Sequence, residues 1–169
     1  MKTPGTAVDV VDLVRRFGEA EKRPSPSTFD VAEYTAAGVG RPSIVATAPS
    51  RLTWTLTMPV GGSFHAQVHA IAAESRDVGL RVGVADNRVY EILAHVWLSS
   101  SNPGWTPIAV DLSRYAGRKW SLFYRPDAHR WRLVLSVDAA DRPDVRAIWG
   151  SPAIATDTAH ARAFIAGHR

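Results

Sequence analysis

Three aromatic and three polar residues in the middle of the sequence carry the side chains that a sugar-binding site needs. They are Trp97, Tyr90 and Trp105, together with Asn87, Arg88 and Glu91. The apolar C–H face of a pyranose stacks on an aromatic ring, and its hydroxyls pair with amides, guanidiniums and carboxylates. A carbohydrate site could use these residues, with the aromatic rings stacking on the sugar and the polar residues holding its hydroxyls.

Trp97 is the central candidate in this set. If residues 90–98 form a regular strand, Trp97 shares one face with Glu91, Leu93 and His95. The alternative is that Trp97 packs against a sheet or under a loop. Trp131 could also stack on a sugar, whereas Trp54, Trp120 and Trp149 fall on inward-facing patterns that predict core positions.

Metal binding has weaker candidates. His65, Gln67 and His69 share a polar face, but strand residues i and i+4 lie about 13 Å apart and cannot converge on one zinc ion. A structural calcium ion is the better hypothesis, held by the carboxylates that follow strands. Those carboxylates are Asp86, Asp111 and Asp138, which could instead cap turns.

Catalytic motifs do not occur in the sequence. It has no Gly-x-Ser-x-Gly elbow, no His-Glu-x-x-His and no glycine-rich phosphate loop. Glycoside hydrolysis needs two opposed carboxylates, and Glu91 has no evident partner. We predict that the domain is not an enzyme, with an unrecognised hydrolase as a third hypothesis.

A basic segment follows the predicted site and alternates with aromatic residues. Its cations are Arg114, Arg118, Lys119, Arg125, Arg130 and Arg132, among Trp120, Phe123, Tyr124 and Trp131. Such a pattern protects exposed strand edges, binds an acidic glycan, or binds single-stranded nucleic acid. The edge role is favoured and nucleic acid is the least favoured.

The composition is that of one globular domain. The chain has 169 residues, 46% of them hydrophobic, six Trp, no Cys and a net charge of +4. The absence of Cys excludes disulfides. No signal peptide is visible at the start, and no apolar run approaches the roughly 20 residues of a membrane span.

The elements that must position these residues are mostly strands. From Leu52 onward, apolar and polar residues alternate in about eight segments that are separated by Gly/Pro turns, which predicts an all-β antiparallel sandwich or jelly roll. A capping pattern and helical spacing predict a short N-terminal helix over residues 6–21. We expect a helix and lead-in segment over 1–40, the sandwich over 41–157, and a tail or short helix over 158–169.

Several segments resemble a known family. They are residues 105–122, with a Trp-led strand, Val-Asp-Leu-Ser and a Tyr-Ala-Gly corner; the Trp-Gly-Ser-Pro segment within 148–154; and the lead-in segments 21–24 and 48–52. This pattern resembles jelly-roll domains of bacterial extracytoplasmic proteins, which are similar to galactose-binding-like and carbohydrate-binding modules. Such domains accompany sulfatases and membrane glycosyltransferases. The likeness covers roughly residues 20–155.

The resemblance and the residues together imply a lectin-like accessory module. We predict non-catalytic carbohydrate binding through a shallow aromatic surface, with a glycan, possibly acidic, as ligand and no cofactor except the calcium ion. The domain would lie outside the cytoplasm, beside a catalytic or membrane-anchored partner protein. The alternative is a structural or protein-interaction domain with no small-molecule ligand.

Overall fold

The fold is a sandwich of two antiparallel β-sheets. The computed structural model describes residues 8–57, 61–74, 76–86, 89–115, 130–138 and 145–157. Eleven strands lie within these ranges. They are β1 (Val8–Asp12), β2 (Glu21–Arg23), β3 (Phe29–Ala36), β4 (Val39–Thr47), β5 (Ser50–Thr57), β6 (Gly62–Ile71), β7 (Asp77–Ala85), β8 (Tyr90–Ser99), β9 (Thr106–Asp111), β10 (Arg130–Asp138) and β11 (Arg146–Asp157).

One sheet has six strands, with β11 near its centre. The strand order is β3-β4-β11-β6-β9, and β1 also pairs with β11. β4 pairs with the first half of β11 and β1 with the second half, while β6 lies along its other side. A register shift between Gly150 and Ala153 separates the two halves, and Ser151 there has a left-handed φ of 47°.

The other sheet has five strands in the order β2-β5-β10-β7-β8. β8 is therefore an edge strand, paired only with β7 among the described strands. A register shift between Val82 and Gly83 of β7 leaves Leu93 of β8 as an extra residue in the ladder. This β-bulge decides which side chains of β8 face outward.

The core is the apolar layer between the two sheets. Trp54 of the five-stranded sheet and Trp149 of the six-stranded sheet are each 1% exposed, which confirms that both are core residues. The Trp149 ring meets the Phe64 ring edge-on, with centroids 6.5 Å apart. The third tryptophan predicted to be core, Trp120, lies outside the described residues.

The predicted N-terminal helix is wrong for the residues that the structure describes. Val8–Asp12 form β1, and the helical segments within the described ranges are 3-10 turns, the first at Phe17–Glu19. The apolar residues that suggested a helix, Leu13, Val14 and Phe17, instead lie in a turn, and all three pack on the core from there. Trp54 Nε1 donates to the Arg16 carbonyl oxygen at 2.8 Å and holds this turn in place. Pairing of the valine-rich segment with β11 outweighs its local helical periodicity.

Replacing Trp149 tests the packing between the sheets. We expect Trp149→Ala to lower the free energy of unfolding by about 3–5 kcal/mol, because it opens a cavity where neighbouring side chains are fixed. Guanidinium chloride titration measures the change. Val31→Ala, at a position 40% exposed on β3, should stay within about 0.5 kcal/mol of the parent. A Trp149→Ala variant as stable as Val31→Ala would contradict this packing.

Candidate functional site

The outer face of the five-stranded sheet, the side turned away from the other sheet, exposes aromatic residues of β8. Trp97 is 61% exposed and Tyr90 is 44% exposed. The His95 ring lies beside the Trp97 ring, with centroids 4.7 Å apart. A sheet face that leaves an indole in solvent next to a second aromatic ring is suited to stacking on an apolar surface.

Two glycines of β7 lie directly beneath the rings of Trp97 and Tyr90. A Cβ at Gly79 would sit 3.1 Å from Trp97, and a Cβ at Gly83 would sit 3.2 Å from Tyr90. Gly79 pairs with Trp97 across the ladder, and Ala85 pairs with Tyr90. Because no side chain intervenes at the glycines, the indole lies over Gly79 and the phenol over Gly83. At roughly 3.3 Å per residue, these two positions are about 13 Å apart along β7.

The bulge at Leu93 brings Trp97 and Tyr90 to the same face and separates them from Glu91. A regular strand would place Glu91 with Trp97, because the two positions differ by six residues. The bulge reverses this alternation, so Glu91 pairs with the buried Val84 and lies on the side of the strand that faces the other sheet, at its margin, where the side chain is 42% exposed. The expectation that Glu91, Leu93, His95 and Trp97 share one face is therefore wrong for Glu91 and for Leu93, which packs against the core.

Glu91 takes part in a polar cluster that joins the two sheets at one side. Tyr115 Oη donates to Glu91 Oε2 at 2.6 Å, and the Arg114 guanidinium donates to Glu91 Oε1. The Tyr115 hydrogen bond, and then the Arg114 charge, hold the pKa of Glu91 below its ordinary value of 4.5. Burial and the bond to Glu91 raise the pKa of Tyr115. Tyr115 also packs edge-on against Trp131, with ring centroids 4.9 Å apart.

Trp105 lies on the other side of the molecule. Its indole covers Gly150 on the outer face of the six-stranded sheet, where a glycine Cβ would come within 2.7 Å of the ring. Its Nε1 donates to the Val39 carbonyl oxygen at 2.9 Å, and the Tyr34 and His69 rings pack around it. The six predicted residues therefore do not form one cluster. Asn87 and Arg88 lie outside the described residues.

A groove crosses the outer face of the five-stranded sheet beside Tyr90. It has a volume of about 480 Å³. Its walls come from all five strands and the segment after β7, and they contain Glu21, Arg23, Arg51, Thr53, Ala85, Asp86, Val89, Tyr90, Arg132 and Val134. We call this the arginine groove.

The arginine groove contains residues that the sequence analysis did not assign to a site. Arg51 lies over the Tyr90 ring, 5.8 Å from its centroid, and Arg23 lines the same groove. A signal for Arg51 was present, since it alternates with the buried Leu52 and Trp54 and so had to lie on the outer face. Its approach to Tyr90, 39 residues later, depended on the order of strands in the sheet.

The predicted basic segment divides in the structure. Arg132 lines the arginine groove, whereas Arg114 is paired with Glu91. Arg118, Lys119 and Arg125 lie outside the described residues, and so does the Arg130 side chain. The edge-protection role predicted for this segment thus stays a prediction.

The three aspartates proposed for calcium do not lie together. Asp86 follows β7 and Asp138 is the last residue of β10, so the two lie at opposite ends of the five-stranded sheet, whereas Asp111 ends β9 of the other sheet. Asp86 Oδ1 accepts from the Val89 amide, Asp111 Oδ1 accepts from the Ser113 amide, and Asp138 is ion-paired with Arg81. The described ranges contain no group of three or more His, Asp or Glu side chains that could hold a metal. A structural calcium ion stays an untested prediction.

Protonation of Glu91 should weaken the cluster that joins the sheets. Because folding lowers the pKa of Glu91, its stabilising contribution is present above the unfolded pKa and is lost as pH falls through the folded value. Glu91→Gln should therefore destabilise the protein at pH values above the ordinary pKa of 4.5, with the difference shrinking as the pH falls below it. Urea unfolding at several pH values measures this. Glu33→Gln, at an exposed carboxylate on β3, is the control; a Glu91→Gln deficit independent of pH would contradict the assignment.

Substitution of the two glycines should have different consequences. A Cβ at Gly83 would come within 2.9 Å of the Glu91 carbonyl oxygen, so the backbone must shift, at a cost of about 1–3 kcal/mol. At Gly79 the near atoms belong to the side chains of Trp97 and His95, which can move into solvent. We expect Gly83→Ala to be clearly less stable than Gly79→Ala in thermal unfolding. Equal stability of the two variants would show that β8 does not lie as closely on β7 as described.

Comparison with solved structures finds the same fold in carbohydrate-binding modules. A family 51 module from Clostridium perfringens in complex with methyl-galactose superposes with a TM-score of 0.52 at 16% identity, covering 86% of this chain and 99% of that one. TmCBM61 in complex with β-1,4-galactotriose gives 0.53 at 12% identity, covering 82% and 88%. The xylan-binding domain CBM22-1 from Paenibacillus barcinonensis gives 0.53 at 14% identity, covering 90% and 96%.

No protein-family model matches the sequence, and no curated protein sequence matches it either. At identities of 12–16% the likeness concerns the fold. Among the described residues, none of the helical segments has the length and apolar character to cross a bilayer. The chain has the β-sandwich fold of carbohydrate-binding modules, as the resemblance implied.

Proposed function

We propose that this domain binds carbohydrate on the outer face of its five-stranded sheet. The observation that carries the proposal is the exposed Trp97, which lies over Gly79 on a sheet face that also exposes Tyr90. Each ring presents a flat apolar surface that matches the C–H face of a pyranose. The fold, shared with modules solved in complex with methyl-galactose and β-1,4-galactotriose, supports the same assignment.

The site that we propose is extended and open. The positions under Trp97 and Tyr90 are about 13 Å apart along β7, so the two rings would hold different sugar units of one chain. Thr53 of the arginine groove offers a hydroxyl as a hydrogen-bond partner for the sugar. Such an arrangement favours a polymer lying across the sheet over a monosaccharide in a deep pocket.

Two of the residues predicted from sequence do not fit this face. Trp105 covers the opposite sheet, and the Glu91 carboxylate is used by Tyr115 and Arg114. Their positions favour structural roles. We keep Trp97 and Tyr90 as the stacking residues.

The module would act without catalysis of its own. A non-catalytic binding module serves by holding a neighbouring protein or domain at its substrate, and the glycans that such modules bind lie outside the cytoplasm. We therefore propose an extracytoplasmic accessory role beside a catalytic or membrane-anchored partner. The apolar surface of Trp97 and Ile92, the latter 45% exposed on the edge strand β8, favours a protein-interaction domain as the second candidate.

A glycan array with the parent, Trp97→Ala and Val31→Ala proteins tests the proposal. We expect binding to a related set of oligosaccharides that falls at least about fivefold in Trp97→Ala, because one stacking contact is worth on the order of 1 kcal/mol or more. Tyr90→Ala should weaken the same set. Val31→Ala, on the other sheet, should bind as the parent does.

Two outcomes would count against carbohydrate binding on this face. Unchanged binding by Trp97→Ala would place the site elsewhere. A blank array would reject the lectin-like function. The protein-interaction candidate would replace carbohydrate binding if a blank array were accompanied by a sedimentation coefficient that rises with protein concentration and is lowered by Trp97→Ala.

A further inference from the structure

From the arginine groove we infer that the glycan is anionic and that Arg51 and Arg132 bind its carboxylate or sulfate groups. This inference rests on the proposed carbohydrate binding and concerns the chemical class of the ligand. Among the described residues, the groove has three arginines, Arg23, Arg51 and Arg132, for two carboxylates, Glu21 and Asp86. The way in which these charges pair decides what the groove attracts.

Arg23 is the arginine whose charge is already compensated. Its Nε lies 2.8 Å from Glu21 Oε1 on the same strand. Arg81, on the neighbouring part of the sheet face, is likewise paired with Asp138 at 2.9 Å. These two pairs contribute little net field at the groove.

Arg51 and Arg132 have no such carboxylate. Within the described ranges, no Asp or Glu carboxylate oxygen lies within 4.0 Å of either guanidinium. The contact of Arg51 is with the face of Tyr90, 5.8 Å from the ring centroid, and Arg132 Nη2 donates to the Asp86 carbonyl oxygen at 2.7 Å. A guanidinium carries five N–H donors, so both side chains keep donors for a ligand.

The contacts of these two arginines also orient them. The Arg51 guanidinium carbon lies 5.8 Å from the Tyr90 ring centroid, and Arg132 is anchored by its hydrogen bond to the Asp86 carbonyl oxygen. The intervening floor is Thr53 and Val134, and the buried valine offers no charge to either arginine. An anionic group entering the groove would therefore meet guanidinium forks that match a carboxylate or a sulfate in geometry as well as charge.

The stacking and charged parts lie on one surface. Tyr90 both lines the groove and belongs to the aromatic pair with Trp97. A sugar that contacts the exposed part of the Tyr90 ring would thus place its acidic substituent beside Arg51. Neutral sugars would use the rings alone and leave the two arginines unpaired.

Titration calorimetry with four probes tests the inference. The probes are an oligogalacturonate, a sulfated galactan oligosaccharide, a neutral β-1,4-galactan oligosaccharide and a single-stranded DNA oligomer. We expect at least one anionic glycan to bind roughly tenfold or more tightly than the neutral one at low salt, with the preference reduced at high salt. The oligogalacturonate and sulfated arms distinguish carboxylate from sulfate as the bound group.

The variants locate the effect. Arg51→Gln and Arg132→Gln should each remove most of the preference for the anionic glycan, lowering the affinity for the anionic glycan far more than the affinity for the neutral one. Arg51→Lys keeps the positive charge but loses the bidentate geometry of the guanidinium, so it should retain part of the preference for the anionic glycan. Arg15→Gln, which removes an arginine 88% exposed in the turn after β1, is the charge-matched control and should bind as the parent does. Thermal unfolding of each variant verifies that it is folded.

The outcomes separate this inference from the proposed function. Trp97-dependent binding of the neutral glycan with no anionic preference would overturn the inference and leave carbohydrate binding in place. A preference equally reduced by Arg15→Gln, or DNA bound as tightly as the anionic glycans, would also overturn it, because general electrostatics would then explain the result. Failure of every glycan to bind would overturn both.

Discussion

Burial of alternate side chains between the two sheets is the interaction on which the rest of this structure depends. Trp54, Trp149 and Phe64 all point into that layer, each at most 1% exposed. Because side chains alternate along a strand, each residue that points into the core places the next residue on an outer face. The hydrophobic core thus fixes which residues can meet a ligand, and it does so without any ligand contact of its own.

The edge strand β8 shows how a local irregularity changes this assignment. Its bulge at Leu93 lets Trp97 and Tyr90 share the outer face although their positions differ by seven, an odd number. The same bulge turns Glu91 inward, where Tyr115 and Arg114 hold its carboxylate. One extra residue in the ladder therefore places Trp97 and Tyr90 on the outer face and Glu91 in the polar cluster that joins the sheets.

The order of the strands brings aromatic and charged side chains together on the outer face of the five-stranded sheet. β2, β5 and β10 bring Arg23, Arg51 and Arg132 to a groove that ends at Tyr90 of β8. The two glycines of β7 keep the surface low, so the rings of Trp97 and Tyr90 can lie across the sheet. The opposite outer face differs, since Trp105 there is fixed by Val39, Tyr34 and His69 and covers the sheet.

The sequence by itself determined the all-β class, most strand positions and the core roles of Trp54 and Trp149, because a period of two is a local property of the chain. It did not determine the secondary structure of residues 8–12, which form a strand because they pair with β11. The tertiary structure alone decided that Arg51 meets Tyr90, that Trp105 lies apart from Trp97, and that Glu91 faces inward. These outcomes depend on strand order and on one bulge, and neither is written in local side-chain periodicity.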